Sequence, residues 1–348
     1  MNRGSMVLAV LALGACSPTT ARGPRPPVPH PLPQHVQGAH LRPVGDLRRG
    51  YGTQTAQRTM ERLQRLGVNT IGIVVEGHMA STESLEIRLP SDAELEASHR
   101  ALLDAHALGL ATILVPHLYM DDGGWRGNIV LTKPDAAAAW WSAYRQFMIR
   151  MADLASQSGT TVLSVGVELK GLSHEPQHAA AMRALIAVIR SRFSGELTYS
   201  ANWDEAEDVH FWDAVDYVGV NGYYPLTPDV VRGAETVARR LTHLAVQAKR
   251  PLIVVEVGYR SSPLSHLQPW EWPDQVEPLV DEASQAQAWA AVFTHWPQAK
   301  GVRGLLMWVI PTDPDDPASE PPHGFNPLNK TAEVVIRRAF AGELRAER

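Results

Sequence analysis

Residues 252–262 read LIVVEVGYRSS, an aliphatic run that leads directly into a glutamate, Glu256. A continuous apolar run of this length predicts a strand that is buried on both faces, as in a parallel sheet. A carboxylate in such a strand loses its water and must be paired, hydrogen-bonded or kept neutral. The stretch therefore predicts a buried parallel strand and, at its end, a carboxylate whose position needs a chemical explanation.

The same kind of strand recurs along the chain, separated each time by an amphipathic helical stretch. The predicted strands are Leu41–Val44, Thr70–Val75, Thr112–Pro116, Val162–Val167, Leu197–Ala201, Tyr217–Val220, Leu252–Val255 and Gly304–Val309. Eight strands that alternate with helices over about 300 residues predict one α/β domain, a (β/α)8 TIM barrel over residues 39–345. The competing fold is a doubly wound open sheet, which commonly carries G-x-G-x-x-G after its first strand. The corresponding stretch here, GDLRRGYGTQT, lacks that motif.

Two of the predicted helices have clear ends. Thr53–Leu66 and Ser91–Leu108 are each followed by glycine, the residue expected just past the last helical turn. Ser91 and Glu94 have the spacing of a capping box. The other predicted helices begin at Asp135 or cover Gln177–Arg192, Pro228–Ala248, Asp281–Trp296 and Thr331–Ala341.

The N-terminal segment predicts export. Met6–Leu13 is an apolar run too short to span a bilayer, and the only cysteine, Cys16, follows it after small residues. This arrangement resembles a bacterial lipobox, so residues 1–15 are predicted to be a lipoprotein signal peptide and Cys16 the lipidated residue. The alternative is an ordinary signal peptide with an incidental cysteine. Residues 16–38 are Pro-rich and predict an extended tether. The whole segment thus predicts an exported bacterial lipoprotein at the periplasmic or cell-surface face, which contacts the membrane only through its lipid anchor.

Composition excludes some partners and favours others. The chain has 32 basic and 37 acidic residues, a formal net charge of −5, which argues against nucleic acid as a partner. Ten Trp residues against six Phe suit a cleft for flat, partly apolar ligands such as sugar rings. No G-x-S-x-G elbow and no phosphate loop occurs, so acyl and phosphoryl transfer lack support. We expect a monomer with no cofactor and no metal.

Polar and aromatic residues collect at the carboxyl ends of seven successive predicted strands, where the chemistry of a (β/α)8 barrel takes place. In strand order they include Glu76 and His78; His117, Asp121, Asp122, Trp125 and Arg126; Glu168 and Lys170; Asn202, Trp203 and Asp204; Asn221, Tyr223 and Tyr224; Glu256, Tyr259 and Arg260; and Trp308 and Asp313. Glu168 and Glu256 follow strands four and seven, which lie on opposite sides of an eight-stranded barrel. Their side chains can therefore face each other. Two carboxyl groups on either side of the scissile bond are the minimum that glycoside hydrolysis usually requires.

Several of these stretches resemble glycoside hydrolase family 113, the β-mannanase family, within the clan A retaining glycoside hydrolases. They are RRGYGTQT with the later LGVNTI, PHLYMDDGGWRGNI, VGVELKG, SANWD, DYVGVNGYYPL, VVEVGYRS and the MW of strand eight. The resemblance covers about Arg42 to Phe340. It implies a retaining β-glycoside hydrolase that acts by double displacement on a β-linked polysaccharide, with β-1,4-mannan as the expected substrate.

The resemblance also implies residue roles. Glu168 would be the general acid/base and Glu256 the nucleophile, with carboxyl groups about 5 Å apart. The implied substrate-binding residues are His117, Trp125, Arg126, Asn202, Trp203, Asn221, Tyr223, Tyr224 and Trp308. Tyr223 or Tyr224 would hydrogen-bond the nucleophile, and Trp308 would form the floor under the sugar. One position departs from the pattern: much of the clan has Asn before the acid/base, contacting the sugar 2-hydroxyl, and this chain has Val167, so Asn202 or another donor would replace it.

Other interpretations stay open at this point. Glu168 and Glu256 could be structural carboxylates paired with Arg or Lys, and Val167 motivates a non-catalytic carbohydrate-binding barrel. A glycosidase with a different β-glycan specificity is a further alternative. A metal-dependent hydrolase would use His78, His117, Asp121 and Asp122, although no H-x-H or H-E-x-x-H spacing occurs. Trp270 and Trp272 either line further sugar subsites or pack as part of a loop.

Overall fold

The computed structural model describes residues 1, 26–45 and 48–344. Within these residues eight parallel strands close into a barrel, and their order around it is their order in the chain. The strands are β1 (Val36–Arg42), β2 (Thr70–Met79), β3 (Ala111–Met120), β4 (Val162–Val167), β5 (Glu196–Asn202), β6 (Tyr217–Asn221), β7 (Leu252–Val257) and β8 (Val302–Pro311). The predicted (β/α)8 TIM barrel is therefore confirmed.

Helices lie between successive strands and cover the outside of the barrel. They are α1 (Gln54–Leu66), α2 (Asp92–Ala107), α3 (Pro134–Ser158), α4 (Lys170–Ser173), α5 (Pro176–Arg190), α6 (Val230–Ala248), α7 (Glu282–His295) and α8 (Thr331–Phe340). The capping box predicted at Ser91 and Glu94 is present at the start of α2. Gly67, after α1, has φ of 109°, a left-handed conformation that glycine adopts without steric cost. The helix ends read from local signals are thus confirmed.

The hydrophobic core of the described residues falls into three clusters, and the two larger ones lie on either side of the barrel wall. The barrel interior is filled by aliphatic side chains from the strands, including Ile113, Val115, Val162, Ile253, Val255 and Leu306. A larger cluster fills the space between the strands and the surrounding helices. Because strand residues are buried on both faces, most of the strand bodies are apolar, with small buried polar side chains such as Thr112, Ser164 and Thr198 among them, and the polar residues of the cleft lie where the strands end.

The first strand lies earlier in the chain than predicted. It spans Val36–Arg42 rather than Leu41–Val44, so the predicted tether, drawn to residue 38, extends too far. Polar and small residues hide this strand from a search for apolar runs. The backbone of Gln37 bonds to the side chain of Asn69, and a Cβ on Gly38 would lie 2.3 Å from a carbon of Leu306. The strand is therefore defined by its neighbours rather than by its own hydrophobicity.

The segment before β1 crosses the N-terminal face of the barrel, opposite the carboxyl ends of the strands. His30 stacks on His106, near the end of α2, with ring centroids 4.2 Å apart. Arg303 donates to the carbonyl of Pro33 over 2.9 Å. Residues 2–25, which include the predicted signal peptide after Met1, Cys16 and the first part of the predicted tether, lie outside the described residues. Within the part of the chain that is described, no helix is both long and apolar enough to cross a membrane.

Candidate active site

A cleft of about 590 Å³ opens at the carboxyl ends of the strands. Segments that follow six of the eight strands line it, from β3 round to β8. The predicted site residues that line it are His117, Trp125, Arg126, Glu168, Asn202, Trp203, Tyr223, Glu256 and Trp308. The barrel thus brings together in one cavity side chains that are far apart in the sequence.

Glu256 lies near the end of β7 and is only 2 % exposed. His117 Nε2 lies 3.0 Å from Oε1 of this carboxyl, and the hydroxyl of Tyr223 donates to Oε2 over 3.2 Å. Burial raises the pKa of Glu256, while the positive charge of Arg126 and the hydrogen bond from Tyr223 act in the opposite direction. The carboxyl is therefore rigidly oriented, with donors on both oxygens that favour its ionised form.

His117 is a neutral donor in this arrangement. Burial lowers the pKa of His117 well below its ordinary value. When Glu256 is ionised its carboxylate can only accept, and the Nε2 atom of His117 that faces it must then carry the hydrogen. The ring lies parallel to Trp308, with an interplanar angle of 2° and centroids 5.8 Å apart. His117 therefore orients both the carboxylate and the indole at the floor of the cleft.

Glu168 directly follows β4 and also receives donors on both oxygens. Asn221 donates to Oε1 over 2.9 Å. Trp125 donates to Oε2 over 3.0 Å, and Arg126 lies 3.1 Å from the same oxygen. Side chains after β3 and at the end of β6 thus hold the Glu168 carboxyl from two sides, and its 7 % exposure leaves it accessible from the cleft.

The backbone at Glu168 is unusual. Its φ is +50°, in the left-handed region, which costs a residue with a Cβ about 1–2 kcal/mol. Two hydrogen bonds hold this turn: the Glu168 amide donates to Ser200 O over 2.8 Å, and the Leu169 amide to the hydroxyl of Tyr199 over 2.8 Å. Such costs are retained where the surrounding structure over-determines the conformation, typically at functional sites. The preceding Val167 packs into the barrel interior and has no donor or acceptor in its side chain, so it cannot contact a sugar hydroxyl as Asn would.

Tryptophan side chains form one wall of the cleft. Trp203 and Trp270 are stacked, with centroids 5.7 Å apart and an interplanar angle of 16°. Trp272 meets Trp308 edge to face at 6.3 Å. Trp270 and Trp272 are 43 % and 38 % exposed, and both line the cleft. The loop after β7 therefore contributes to the cleft, and its aromatic rings can contact a ligand.

Two predicted binding residues have other positions. Tyr224 does not line the cleft: it is 2 % exposed, packs against Trp203 and Trp296, and lies beneath Arg240. The open choice between adjacent tyrosines is thus settled, since Tyr223 bonds Glu256 and Tyr224 supports Trp203 from behind. Asn221 is fully buried and does not line the cleft, but its side chain donates to Glu168 over 2.9 Å and also hydrogen-bonds Glu256, which favours the ionised form of that carboxyl.

Sequence reasoning missed several residues of the site. Tyr119, Gln275 and Phe325 line the cleft. His40 lies beneath it, with Nε2 2.8 Å from the carbonyl of Val255. Gln275 and Phe325 belong to long loops whose course depends on packing, and His40 belongs to the strand that was misplaced. A histidine within a barrel strand was the one available signal.

A third buried carboxyl, that of Glu205, lies behind Glu168. Glu205 is fully buried, accepts from Ser173 Oγ over 2.9 Å, and also accepts from the hydroxyl of Tyr199. Burial raises the pKa of Glu205 to about 8. Glu205 therefore retains its proton in the folded protein at neutral pH.

This carboxyl makes stability depend on pH. The unfolded chain releases the Glu205 proton near the ordinary value of 4.5, and the folded chain only near 8. The free energy of unfolding should therefore fall by up to about 1.4 kcal/mol per pH unit between these values, and then stop falling. Glu205→Gln should remove this loss of stability. The melting temperature of the variant, relative to that of the wild type, should therefore be higher at about pH 8 than at about pH 5. An equal difference in melting temperature at both pH values would contradict the assignment.

Metal binding has little support in the geometry. Across the described ranges, no group of three or more His, Cys, Asp or Glu side chains is arranged to hold a metal ion. His78 and Asp121, which the metal hypothesis required, are 3.3 Å apart and form a surface cluster with Arg88. His117 instead contacts Glu256.

The sequence of the chain matches the model of Glycoside Hydrolase Family 113 over residues 45–321. The chain belongs to this family. The resemblance stated from its motifs is thereby confirmed, and the protein is a glycoside hydrolase that acts on an oligosaccharide or polysaccharide. No protein with a curated function matches it.

Solved structures agree with this assignment. The family 113 β-mannanase of Alicyclobacillus acidocaldarius, solved with ManMIm, is 29 % identical to this glycoside hydrolase, with a TM-score of 0.79 over 89 % of this chain and 98 % of that one. A family 113 β-1,4-mannanase is 21 % identical, with a TM-score of 0.79 over 88 % and 99 % of the two chains. The family 5 mannosidase of Rhizomucor miehei is 11 % identical, with a TM-score of 0.60 over 89 % and 93 %. The last two show the fold alone.

Proposed function

We propose that this glycoside hydrolase is a retaining β-mannanase in which Glu256 is the nucleophile and Glu168 the general acid/base. The observation that carries the proposal is that both glutamates contribute to one cleft, each with hydrogen-bond donors on both carboxyl oxygens. Structural ion pairs do not require a cavity in front of them. Here the cleft provides the space in which a glycosidic bond can lie between the two carboxyls.

In the first step, the Glu256 carboxylate attacks the anomeric carbon while Glu168 donates a proton to the departing oxygen. His117 and Tyr223 hold the attacking carboxylate in place and favour its charge until the new bond forms. The product is a covalent glycosyl-enzyme, and the cleaved chain leaves with the proton from Glu168.

In the second step, the Glu168 carboxylate takes a proton from water, and that water attacks the anomeric carbon. The bond to Glu256 breaks and its carboxylate is regenerated. Each step inverts the anomeric centre, so the product has the configuration of the substrate. Trp125 and Arg126 stabilise the Glu168 carboxylate between the two steps, because both place donors on its Oε2.

Mannan as substrate is supported by the family and by the 29 % identical β-mannanase. The decisive experiment is reducing-sugar release over a panel of β-1,4-mannan, glucan and xylan, followed by NMR of the first product formed. We expect release from mannan first, with the β-anomer appearing before mutarotation. Release of the α-anomer would contradict retention, and preference for another glycan would contradict the substrate. Oligosaccharide binding without release from any polysaccharide would favour the non-catalytic alternative.

The indole of Trp270 should add affinity rather than rate. Its ring is stacked on Trp203 and exposed to the cleft, so a sugar can pack against it. We expect Trp270→Ala to raise KM for mannan oligosaccharides about tenfold, equivalent to about 1.4 kcal/mol, with little change in kcat. Trp270→Phe should retain part of this affinity, and steady-state kinetics on oligosaccharides of increasing length will measure both. An unchanged KM at every length would exclude a subsite at this position.

We also propose that the enzyme is an exported, monomeric lipoprotein anchored through Cys16. The lipobox-like residues before Cys16 support the anchor. Residues 26–35 run across the N-terminal face of the barrel, so an anchor attached upstream would leave the cleft on the side away from the membrane. Cys16→Ser should move the protein from the membrane fraction to the soluble fraction. Retention in the membrane fraction would argue against lipidation of this residue.

A further inference from the structure

The turn that carries Glu168 is fastened from behind to the next strand. We call residues 168–173 the acid/base segment. Its Leu169 amide donates to the hydroxyl of Tyr199 over 2.8 Å, and Ser173 Oγ at its other end donates to Glu205 Oε1 over 2.9 Å. The hydroxyl of Tyr199 donates to the same Glu205 oxygen. One buried Tyr–Glu pair therefore contacts both ends of the segment.

The direction of these hydrogen bonds follows from chemistry. The Leu169 N–H can only donate, so Tyr199 accepts there and has its single hydrogen free for Glu205. Glu205 Oε1 then accepts from both Tyr199 and Ser173. Tyr199 thus accepts from one neighbour and donates to the other, and removal of its hydroxyl would leave the Leu169 amide without this partner.

Neither residue of the pair can contact substrate. Tyr199 and Glu205 are both fully buried, and neither lines the cleft. The Tyr199 ring packs against Phe211, and its hydroxyl reaches the site through the backbone amide next to Glu168. A fully buried carboxyl is costly to retain for packing alone. The cost is understandable if the pair determines where the neighbouring carboxyl points.

We propose that Tyr199 and Glu205 are positioning residues that hold Glu168 in the left-handed turn from which its carboxyl reaches the leaving oxygen. This inference rests on the proposed role of Glu168 as the general acid. The φ of +50° at Glu168 needs support from its neighbours, and the Leu169 amide that follows is held by Tyr199. Because burial raises the pKa of Glu205 to about 8, the pair adds no negative charge beside Glu168 at neutral pH.

The dependence of the activity loss on the leaving group distinguishes a positioning role of Tyr199 from general support of the fold. 2,4-Dinitrophenolate departs without a proton, whereas phenol requires one from the general acid. We would measure kcat/KM, which reports the first chemical step, for the phenyl and 2,4-dinitrophenyl β-mannobiosides with wild type and Tyr199→Phe. We expect kcat/KM for the phenyl substrate to fall about 10- to 100-fold, the effect of a misplaced catalytic group, with little change for the dinitrophenyl substrate.

A matched control lies at the other end of the barrel, where Tyr217 donates its hydroxyl to Glu196 over 2.9 Å. Tyr217→Phe loses a similar hydrogen bond and should leave the ratio of the two kcat/KM values unchanged. Ser173→Ala, which removes the second donor to Glu205, is the substitute if Tyr199→Phe does not fold. Equal losses on both substrates, or no loss, would overturn the positioning role while leaving the proposed function intact. Failure of the wild type to cleave either mannobioside would overturn the proposed function itself.

Discussion

Glu256→Gln should reduce kcat on mannan by about 10⁴-fold or more, because the amide cannot form the covalent intermediate. This loss corresponds to about 5.4 kcal/mol of transition-state stabilisation. The protein should stay folded, since Gln has the same shape and removes a carboxyl that is only 2 % exposed. Turnover of mannan and of an aryl mannobioside, together with a thermal melt, measures both effects.

The matched control is Glu196→Gln. Glu196 begins β5 at the opposite end of the barrel, where it accepts from Tyr217. This variant should keep wild-type turnover, because Glu196 lies far from the cleft. Activity of Glu256→Gln within tenfold of the wild type would exclude Glu256 as nucleophile, and loss of the thermal transition would show a structural role instead.

Glu168→Ala should produce a different defect, because this residue acts in both steps. On mannan and on phenyl mannobioside the rate should fall about 10²- to 10⁴-fold, the usual contribution of a general acid. On 2,4-dinitrophenyl mannobioside the first step needs no acid, so a rapid burst of phenolate should precede slow turnover. Stopped-flow absorbance measures the burst, and its amplitude should match the enzyme concentration.

Azide provides the internal check on this assignment. It needs no general base, and the space left by Glu168→Ala lies next to the reacting carbon. Added azide should therefore raise turnover of the dinitrophenyl substrate by the variant and yield β-mannobiosyl azide. Azide should not rescue Glu256→Gln in this way. An α-linked azide product from Glu168→Ala, or rescue of neither variant, would contradict the assigned roles.

Most of the fold could be predicted from local signals. The run LIVVEVGYRSS and its counterparts predict strands that are buried on both faces. A helix start such as the capping box of Ser91 and Glu94 can be recognised from a few adjacent residues. Strands four and seven then place Glu168 and Glu256 at the same end of the barrel through topology alone. The bounds of β1 were predicted wrongly, because this strand is not an apolar run. Gly38 packs against Leu306, and the neighbouring Gln37 bonds to another segment.

The details of the site could not be predicted in the same way. Tyr223 and Tyr224 are adjacent and chemically identical, yet one bonds Glu256 and the other packs under Arg240. The route of the loop after β7 decides that Trp270 stacks on Trp203. These outcomes depend on which side chains contact each other across loops and strand edges. Local sequence patterns do not encode such contacts.

Burial periodicity and strand topology are enough to predict, from the amino-acid sequence, a barrel with two glutamates at one mouth. How each carboxyl is held depends on tertiary packing. Glu256 is oriented by His117 and Tyr223, and Glu168 occupies a left-handed turn supported by the Tyr199–Glu205 pair. These hydrogen bonds join residues that lie on or next to different strands. Their partners are selected by the three-dimensional packing of the barrel, within distances of about 3 Å that a linear pattern does not encode.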